Sequence, residues 1–331
     1  MTAPLTRRSF SLSAMALATG VPLTQARAAE AWPSKPIKLV LPNSPGAGSD
    51  QLGRAIFDKL APVLKQPVIF EYKPGASGAI AALAVIQAPN DGHTLLYSNA
   101  GATIMAEALI PKLPFSTLRD LVPITMTAIG GVVLVVNQKV PARNLRELID
   151  LLKREPDRYG YGSNGIGSNG HLTMEWLKQR TGGFKSDHIP YNSNGPLLLD
   201  VVSGVIPIAW LDYTTPVPYI QQGRIRAIAV NGPSRNRGLP DVAHMTEQGF
   251  PFPGIGFQGI FAPAGTPREI VQRLNLEINK ALALPEMQNL LARLSVDTPP
   301  VQGMDEFRDL IARNLEVWRK IANDAHIQLE A

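Results

Sequence analysis

The sequence predicts an α/β protein of two domains built on mixed, mostly parallel sheets. Three observations lead there. The chain has 331 residues, about the length of two ordinary domains. Short β-rich runs alternate with amphipathic helical stretches, the pattern of strand–helix–strand units. Several loops that follow strands share one character: small, polar and nearly free of cations.

The opening residues stand apart from this pattern. "TRRSFSL" (6–12) is a twin-arginine pattern, "SAMALATGVPL" (13–23) is modestly apolar, and Ala26-Arg27-Ala28 fits a small-x-small cleavage site. Residues 1–28 therefore read as an export signal, which implies a soluble periplasmic protein starting at Ala29. Removing Arg7, Arg8 and Arg27 takes the net charge from +5 to +2. The basic balance is thus partly a targeting feature, and no Lys/Arg run points to nucleic acid. The absence of cysteine excludes a disulfide framework, a thiolate zinc site and a cysteine nucleophile. Hydrophobic content of 45% is enough for a large core, and no internal stretch approaches the roughly 20 apolar residues of a membrane span.

The elements follow in order. "IKLVL" (37–41) reads as a buried strand, and residues 50–64 as a helix with Leu52, Ile56, Leu60 and Leu64 on one face. Strands are expected at 67–72, 94–98, 132–137, 159–162, 188–191, 206–211 and 226–230, with helices at 79–88 and 144–155. Thr266-Pro267-Arg268-Glu269 reads as a capping box opening a helix through Leu282. The last helix, 305–325, buries Phe307, Leu310, Ile311, Leu315, Trp318 and Ile321.

Five loops follow these strands: "PNSPGAGSD" (42–50), "NAGAT" (99–103), "SNGIGSNGH" (163–171), "NSNGP" (192–196) and "DYTTP" (212–216). Ligands of open α/β sheets sit beyond the carboxyl ends of strands. Helix N-termini there offer unpaired N–H donors and partial positive charge. The five loops predict one anion-binding cradle, two from one domain and three from the other. Its candidate residues are Ser44, Gly46, Ala47, Gly48, Ser49, Asp50, Asn99 and Ala100 on the first side. On the second they are Ser163, Asn164, Gly167, Ser168, Asn169, His171, Tyr191, Asn192, Asn194, Asp212 and Tyr213. Replacing Ser168 or Asn169 by alanine is expected to weaken binding and leave the ligand-free melting point nearly unchanged.

Enzyme motifs fail. A dinucleotide fingerprint at Gly46-x-Gly48 needs glycine at 51, which is Gln51. The nucleophile-elbow pattern fails at Ser163, where Tyr161 replaces glycine, and at Ser168, where Ile166 does. The five histidines show no paired metal spacing. No catalytic residue, metal or cofactor is expected.

Taken in order, "WPSKPIKLVLPNSPGAGSD", "NDGHTLLYSN", "KLPFSTLRDLVPI", "YGSNGIGSNGHL", "HIPYNSNGPLLLDVVSG", "LPDVAHMTEQGFP" and "GIFAPAGTP" resemble the substrate-binding receptors of tripartite tricarboxylate transporters, the Bug receptors. The resemblance implies a type II-like periplasmic binding protein, a two-domain clamp. It places residues 29–130 and 256–331 in one domain and 131–255 in the other, crossing near Gly130-Gly131 and Ile255-Gly256. It implies a monomer that holds a small organic acid, a di- or tricarboxylate or an aromatic acid, by backbone amides and hydroxyls, and works with integral membrane transporter subunits. Asn43, Ser44, Asn192, Trp210, Asp212 and Tyr213 depart from the family pattern, Asp212 standing one place after the acidic residue expected near Leu211, and Trp210 and Tyr213 could give a stacking surface for an aromatic acid. Two other functions fit the same sequence: a receptor signalling to a membrane sensor, and an exported α/β hydrolase.

Overall fold

The computed structural model describes residues 32–43, 45–75, 78–299 and 303–329. The twin-arginine pattern, the cleavage site and Ser44 lie outside the described residues. Two five-stranded sheets carry the fold. The first contains β1 (Ile37–Leu41), β2 (Val68–Tyr72), β3 (Thr94–Asn99), β4 (Leu121–Gly130) and β10 (Gly256–Pro263), in the order β2-β1-β3-β10-β4. The second contains β5 (Val132–Asn137), β6 (Tyr161–Ser163), β7 (His188–Pro190), β8 (Ile208–Asp212) and β9 (Ile225–Val230), in the order β7-β6-β8-β5-β9.

The two orders repeat one pattern. Three parallel strands come first, then an antiparallel strand arriving from the other sheet, then the strand by which the chain leaves. β4 leaves the first sheet, and after Gly131 the chain enters the second as β5; β9 leaves the second and β10 returns. Parallel pairing accounts for half of each sheet's ladders rather than most of them. A strand that comes straight from the other sheet has no crossover helix to turn it parallel.

α1 (Gly48–Leu64) buries Leu52, Ile56, Leu60 and Leu64 as its spacing predicts. Each such side chain contributes about 1.5–3 kcal/mol of transfer free energy. α2 (Ala79–Ile86) follows β2, and a π-helical turn (Gly101–Met105) runs into the short α3 (Ala106–Leu109) and then α4 (Thr117–Asp120). α5 (Leu145–Arg154) starts where the Asn144 side chain accepts from the Glu147 N–H at 2.9 Å. α6 (Asn169–Arg180), α7 (Asn194–Ser203) and α8 (Val217–Gln221) belong to the second sheet's half. α9 (Arg268–Leu282), α10 (Pro285–Arg293) and α11 (Met304–Asp324) close the chain. The capping box expected at Thr266 does not form. Pro267 occupies the cap position, and the Thr266 hydroxyl instead donates backward to Pro263 O at 2.8 Å.

Two close approaches set the helices that matter for the site. α1 lies on β3 at Gly53, where a Cβ would fall 2.8 Å from the Tyr97 ring. α6 lies on β8 at Gly170, where a Cβ would fall 2.4 Å from Trp210 Cβ. Both aromatic residues are fully buried platforms. Each glycine lets a helix sit flat enough to aim its N-terminus over the sheet's carboxyl edge.

α11 packs on β4 and α3 and also on α6. Trp176, Phe252 and Trp318 continue that contact, with ring centroids 5.2 and 5.5 Å apart. One continuous core therefore runs through both halves. Among the described residues no helix is long and apolar enough to cross a membrane, and no cluster of metal-ligating side chains occurs.

Candidate functional site

A cavity of about 1030 Å³ lies where the carboxyl ends of the two sets of parallel strands meet. The residues preceding four helices stand on its wall: Ala47 before α1, Gly78 before α2, Ser168 before α6 and Ser193 before α7. Only Ser168 caps its helix with its own side chain, accepting from His171 N at 3.4 Å. The first-turn N–H groups of α1, α2 and α7 have no such cap, so donors and positive helix ends converge on one space.

Thirteen of the residues expected at the site line this cavity: Gly46, Ala47, Gly48, Ser49, Asn99, Ala100, Asn164, Gly167, Ser168, Asn169, Asn192, Asp212 and Tyr213. Five others sit behind the wall and shape it. Asp50 accepts from Gly46 N at 2.8 Å and from Tyr72 Oη at 2.6 Å, and pairs with Arg54 at 3.0 Å. Burial pushes its pKa up, but those three partners outweigh it and hold the carboxyl below its ordinary value. Tyr191 donates to Asp200 at 2.5 Å. Asn194 exchanges hydrogen bonds with Asp212, through its amide N–H to the carboxylate and from Asp212 N to its carbonyl at 3.4 Å.

Ser163 and His171 form the floor under the doubled Gly-Ser-Asn-Gly. Ser163 is fully buried and its Oγ lies 2.7 Å from His188 Nε2. Ser168 Oγ donates to Ser163 Oγ at 3.0 Å. The His171 ring stacks on His188 at 3.8 Å, and His171 Nδ1 accepts from Gly167 N at 3.0 Å. Burial pushes both imidazoles down to about 4; Lys178 adds to this at His171, and the neighbouring His171 adds at His188. Both rings are therefore neutral at neutral pH, and one serves as an acceptor that fixes the cradle loop.

No Lys, Arg or His lines the cavity, and Asp212 is its sole carboxylate among the described residues. Burial raises the Asp212 pKa against hydrogen bonds from Thr215 and Asn194. Trp210 does not provide a stacking surface. It lies in the core beneath α6, 1% exposed, off the cavity wall. Tyr213 does reach the wall, but its hydroxyl is bound to Asn231 O and burial holds the phenol protonated.

Sequence reasoning misses part of the wall. Gln258 comes from β10, held by Tyr97 Oη at 2.8 Å. Leu294 and Val296 come from the segment after α10, which Thr214 Oγ1 grips at Leu294 O (2.7 Å) and Asn236 at Ser295 O (2.8 Å). Leu109 and Leu329 add an apolar corner facing Gly167, where a Cβ would be 2.6 and 3.2 Å from them. None of these belongs to a loop with a glycine or amide signature. Gln258 was legible only as one polar residue in an apolar run.

Two expectations for variants follow from these contacts. Ser49 lines the cavity, and its Oγ is buried with no hydrogen-bond partner among the described residues. Ser49→Ala should therefore leave the melting temperature within about 2 °C and weaken ligand binding roughly 5- to 30-fold, the equivalent of about 1–2 kcal/mol. Thermal melts and calorimetric titration of the two proteins check both halves of that statement. Ser168 and Asn169 behave differently from the expectation above. Ser168 caps α6, and Asn169 Oδ1 accepts from Thr173 Oγ1 and Asn231 Nδ2, each at 3.0 Å. Either alanine should cost about 1 kcal/mol of ligand-free stability as well as binding. Urea unfolding without ligand measures it.

Two α/β halves joined by two crossing segments, with uncapped helix ends facing a shared cleft, define a ligand-binding protein of the two-lobed periplasmic type. The chain belongs to the tripartite tricarboxylate transporter receptor family, whose model matches residues 52–327. BugT of Bordetella pertussis is 31% identical, over 91% of this chain and 93% of its own. Among solved structures, MatC of Rhodopseudomonas palustris with bound malate is 27% identical with a TM-score of 0.74, covering 87% of this chain and 99% of its own. A second R. palustris protein, with adipate, is 27% identical with a TM-score of 0.77, covering 91% and 100%.

Proposed function

We propose that the protein is a periplasmic receptor that captures a small organic acid in this cavity and delivers it to integral membrane transporter subunits. The observation that carries the reading is the convergence of uncapped helix N-termini on a cavity that no cation lines among the described residues. Oriented dipoles then replace a salt bridge. Hydrogen bonds to an ionised group are worth about 1.5–3 kcal/mol each, so a few of them reach the roughly −8.2 kcal/mol of micromolar binding. The malate and adipate bound by the two R. palustris relatives support a carboxylate as the ligand class. The lobes in this reading are 29–130 with 256–331, and 131–255, and the receptor acts as a monomer after loss of residues 1–28.

The site does not favour a hydrolase. Ser163 and His188 are within 2.7 Å, but Ser163 is buried beyond reach of a carbonyl carbon and His188 is a weak base with a pKa near 4. Thermal shift against mono-, di- and tricarboxylates, aromatic acids, sugars and amines tests the proposal. A carboxylate at about 100 times its Kd should add about 2.7 kcal/mol, a rise of roughly 5–10 °C. Stabilisation by sugars or amines, with silence from every carboxylate, would falsify it.

A further inference from the structure

The one carboxylate that lines the cavity among the described residues is out of place in a site for anions. Asp212 closes β8 on the cavity wall, half-buried, and no cation pairs with it among the described residues. Its neighbours fix it rather than neutralise it. Asn194 donates to Oδ2 and takes the Asp212 N–H, and Thr215 Oγ1 donates to Oδ1 at 3.1 Å. The Thr215 backbone N–H bonds the carboxylate as well, so three of its roughly four lone-pair directions are taken and one remains. While Asp212 is ionised a ligand carboxylate fills it poorly, because two like charges side by side in a desolvated space repel. A ligand group that donates a hydrogen can.

Resting on the receptor reading above, we infer that Asp212 selects its ligand: the acid taken by this cavity carries a hydrogen-bond donor, a hydroxyl or an ammonium, that Asp212 accepts. The helix N-termini hold the carboxylate end and Asp212 reads the donor. A site that binds a polar group through a buried partner discriminates strongly against the analogue lacking it, because the partner is then left unmatched. The apolar corner at Leu109 and Leu329 has no such discrimination to offer. Asp212 thus separates substituted acids from plain ones of equal length.

Calorimetric titration with matched acids tests this on the intact mature protein. The series is succinate, malate and aspartate, then glutarate, 2-hydroxyglutarate and glutamate, with methylsuccinate as a control for bulk. In each series at least one donor-bearing acid should bind tenfold or more tighter than the unsubstituted one, and methylsuccinate should gain nothing. Asp212→Asn should shrink that preference to within about threefold, while its unchanged melting profile shows that the fold is intact. If the variant does not fold, the wild-type series alone decides. Equal affinity for plain and donor-bearing acids overturns the role of Asp212 and leaves the receptor reading standing. A preference that survives Asp212→Asn undiminished also overturns it. Silence from every acid in both series overturns the inference, while the receptor reading stands or falls on the wider thermal-shift panel.

Discussion

Gly131→Ala is expected to lower the melting temperature by roughly 5–10 °C. The residue lies between β4 and β5, at the first crossing. A Cβ there would stand 2.3 Å from Asn231 Oδ1, 2.4 Å from Asn231 O and 2.6 Å from Tyr213 Oη. None of these atoms is free to retreat. Asn231 is 1% exposed; its Oδ1 accepts from Val132 N at 2.6 Å and its Nδ2 donates to Asn169 Oδ1 and to Thr173 Oγ1 at 3.0 and 2.9 Å. The Tyr213 hydroxyl donates to the Asn231 carbonyl. Overpacking of this kind costs about 1–3 kcal/mol, and the rigid neighbours argue for the upper end; each kcal/mol moves a protein of this size by roughly 2–4 °C. Because the same node carries two cavity residues, Asn169 and Tyr213, ligand affinity should fall too. Gly195→Ala is the control: its Cβ meets nothing within 4 Å, and its melting point should hold or rise. Equal melting points for the two variants would remove Asn231 as the node of the crossing.

Acid should loosen the cradle. His171 and His188 fall from an ordinary 6.5 to about 4 in the folded protein. The unfolded chain therefore binds more protons between those values, and folding stability drops as pH falls from about 6.5 to 4. Above 6.5 the contribution is complete. The loss should amount to a few kcal/mol, and it strikes the cradle directly. A proton on His171 Nδ1 ends its acceptance from Gly167 N, and a second charge on His188 repels the first across 3.8 Å. Glu175 partly offsets this at His188, while Lys178 adds to the repulsion at both rings. Melting curves from pH 7.5 to 4.5 should show a fall that His171→Gln with His188→Gln flattens. A wild-type profile that stays level across that window contradicts the assignment.

Much of the fold was legible because its strands are short β-branched runs and its helices have clear apolar faces, as in "IKLVL" and in α1. β4 and β10 were not, since "LVPITMTAIG" and "GFQGIFAP" mix Pro, Gly, Met and polar residues and gain their strand character from pairing with each other. The cradle was legible in its loops, because glycine, serine and asparagine at strand ends have few other uses. The order of depth within it was not. Nothing in "YGSNGIGSNGH" tells that Ser163 and His171 face down while Ser168 and Asn169 face the cavity; burial by β7 and β8 decides it. Trp210 shows the same limit: an aromatic residue beside a binding loop looks like a wall until Gly170 is seen lying against it.

The central claim is that a carboxylate is held here without a cation. A crystal structure with the tightest-binding acid tests it most directly. The account predicts a carboxylate within hydrogen-bond distance, about 2.7–3.2 Å, of first-turn N–H groups of α1, α2 or α7, with no Lys or Arg within reach of an ion pair. An acid bound through an arginine or lysine drawn into the cleft, or lying outside the cavity altogether, would contradict it.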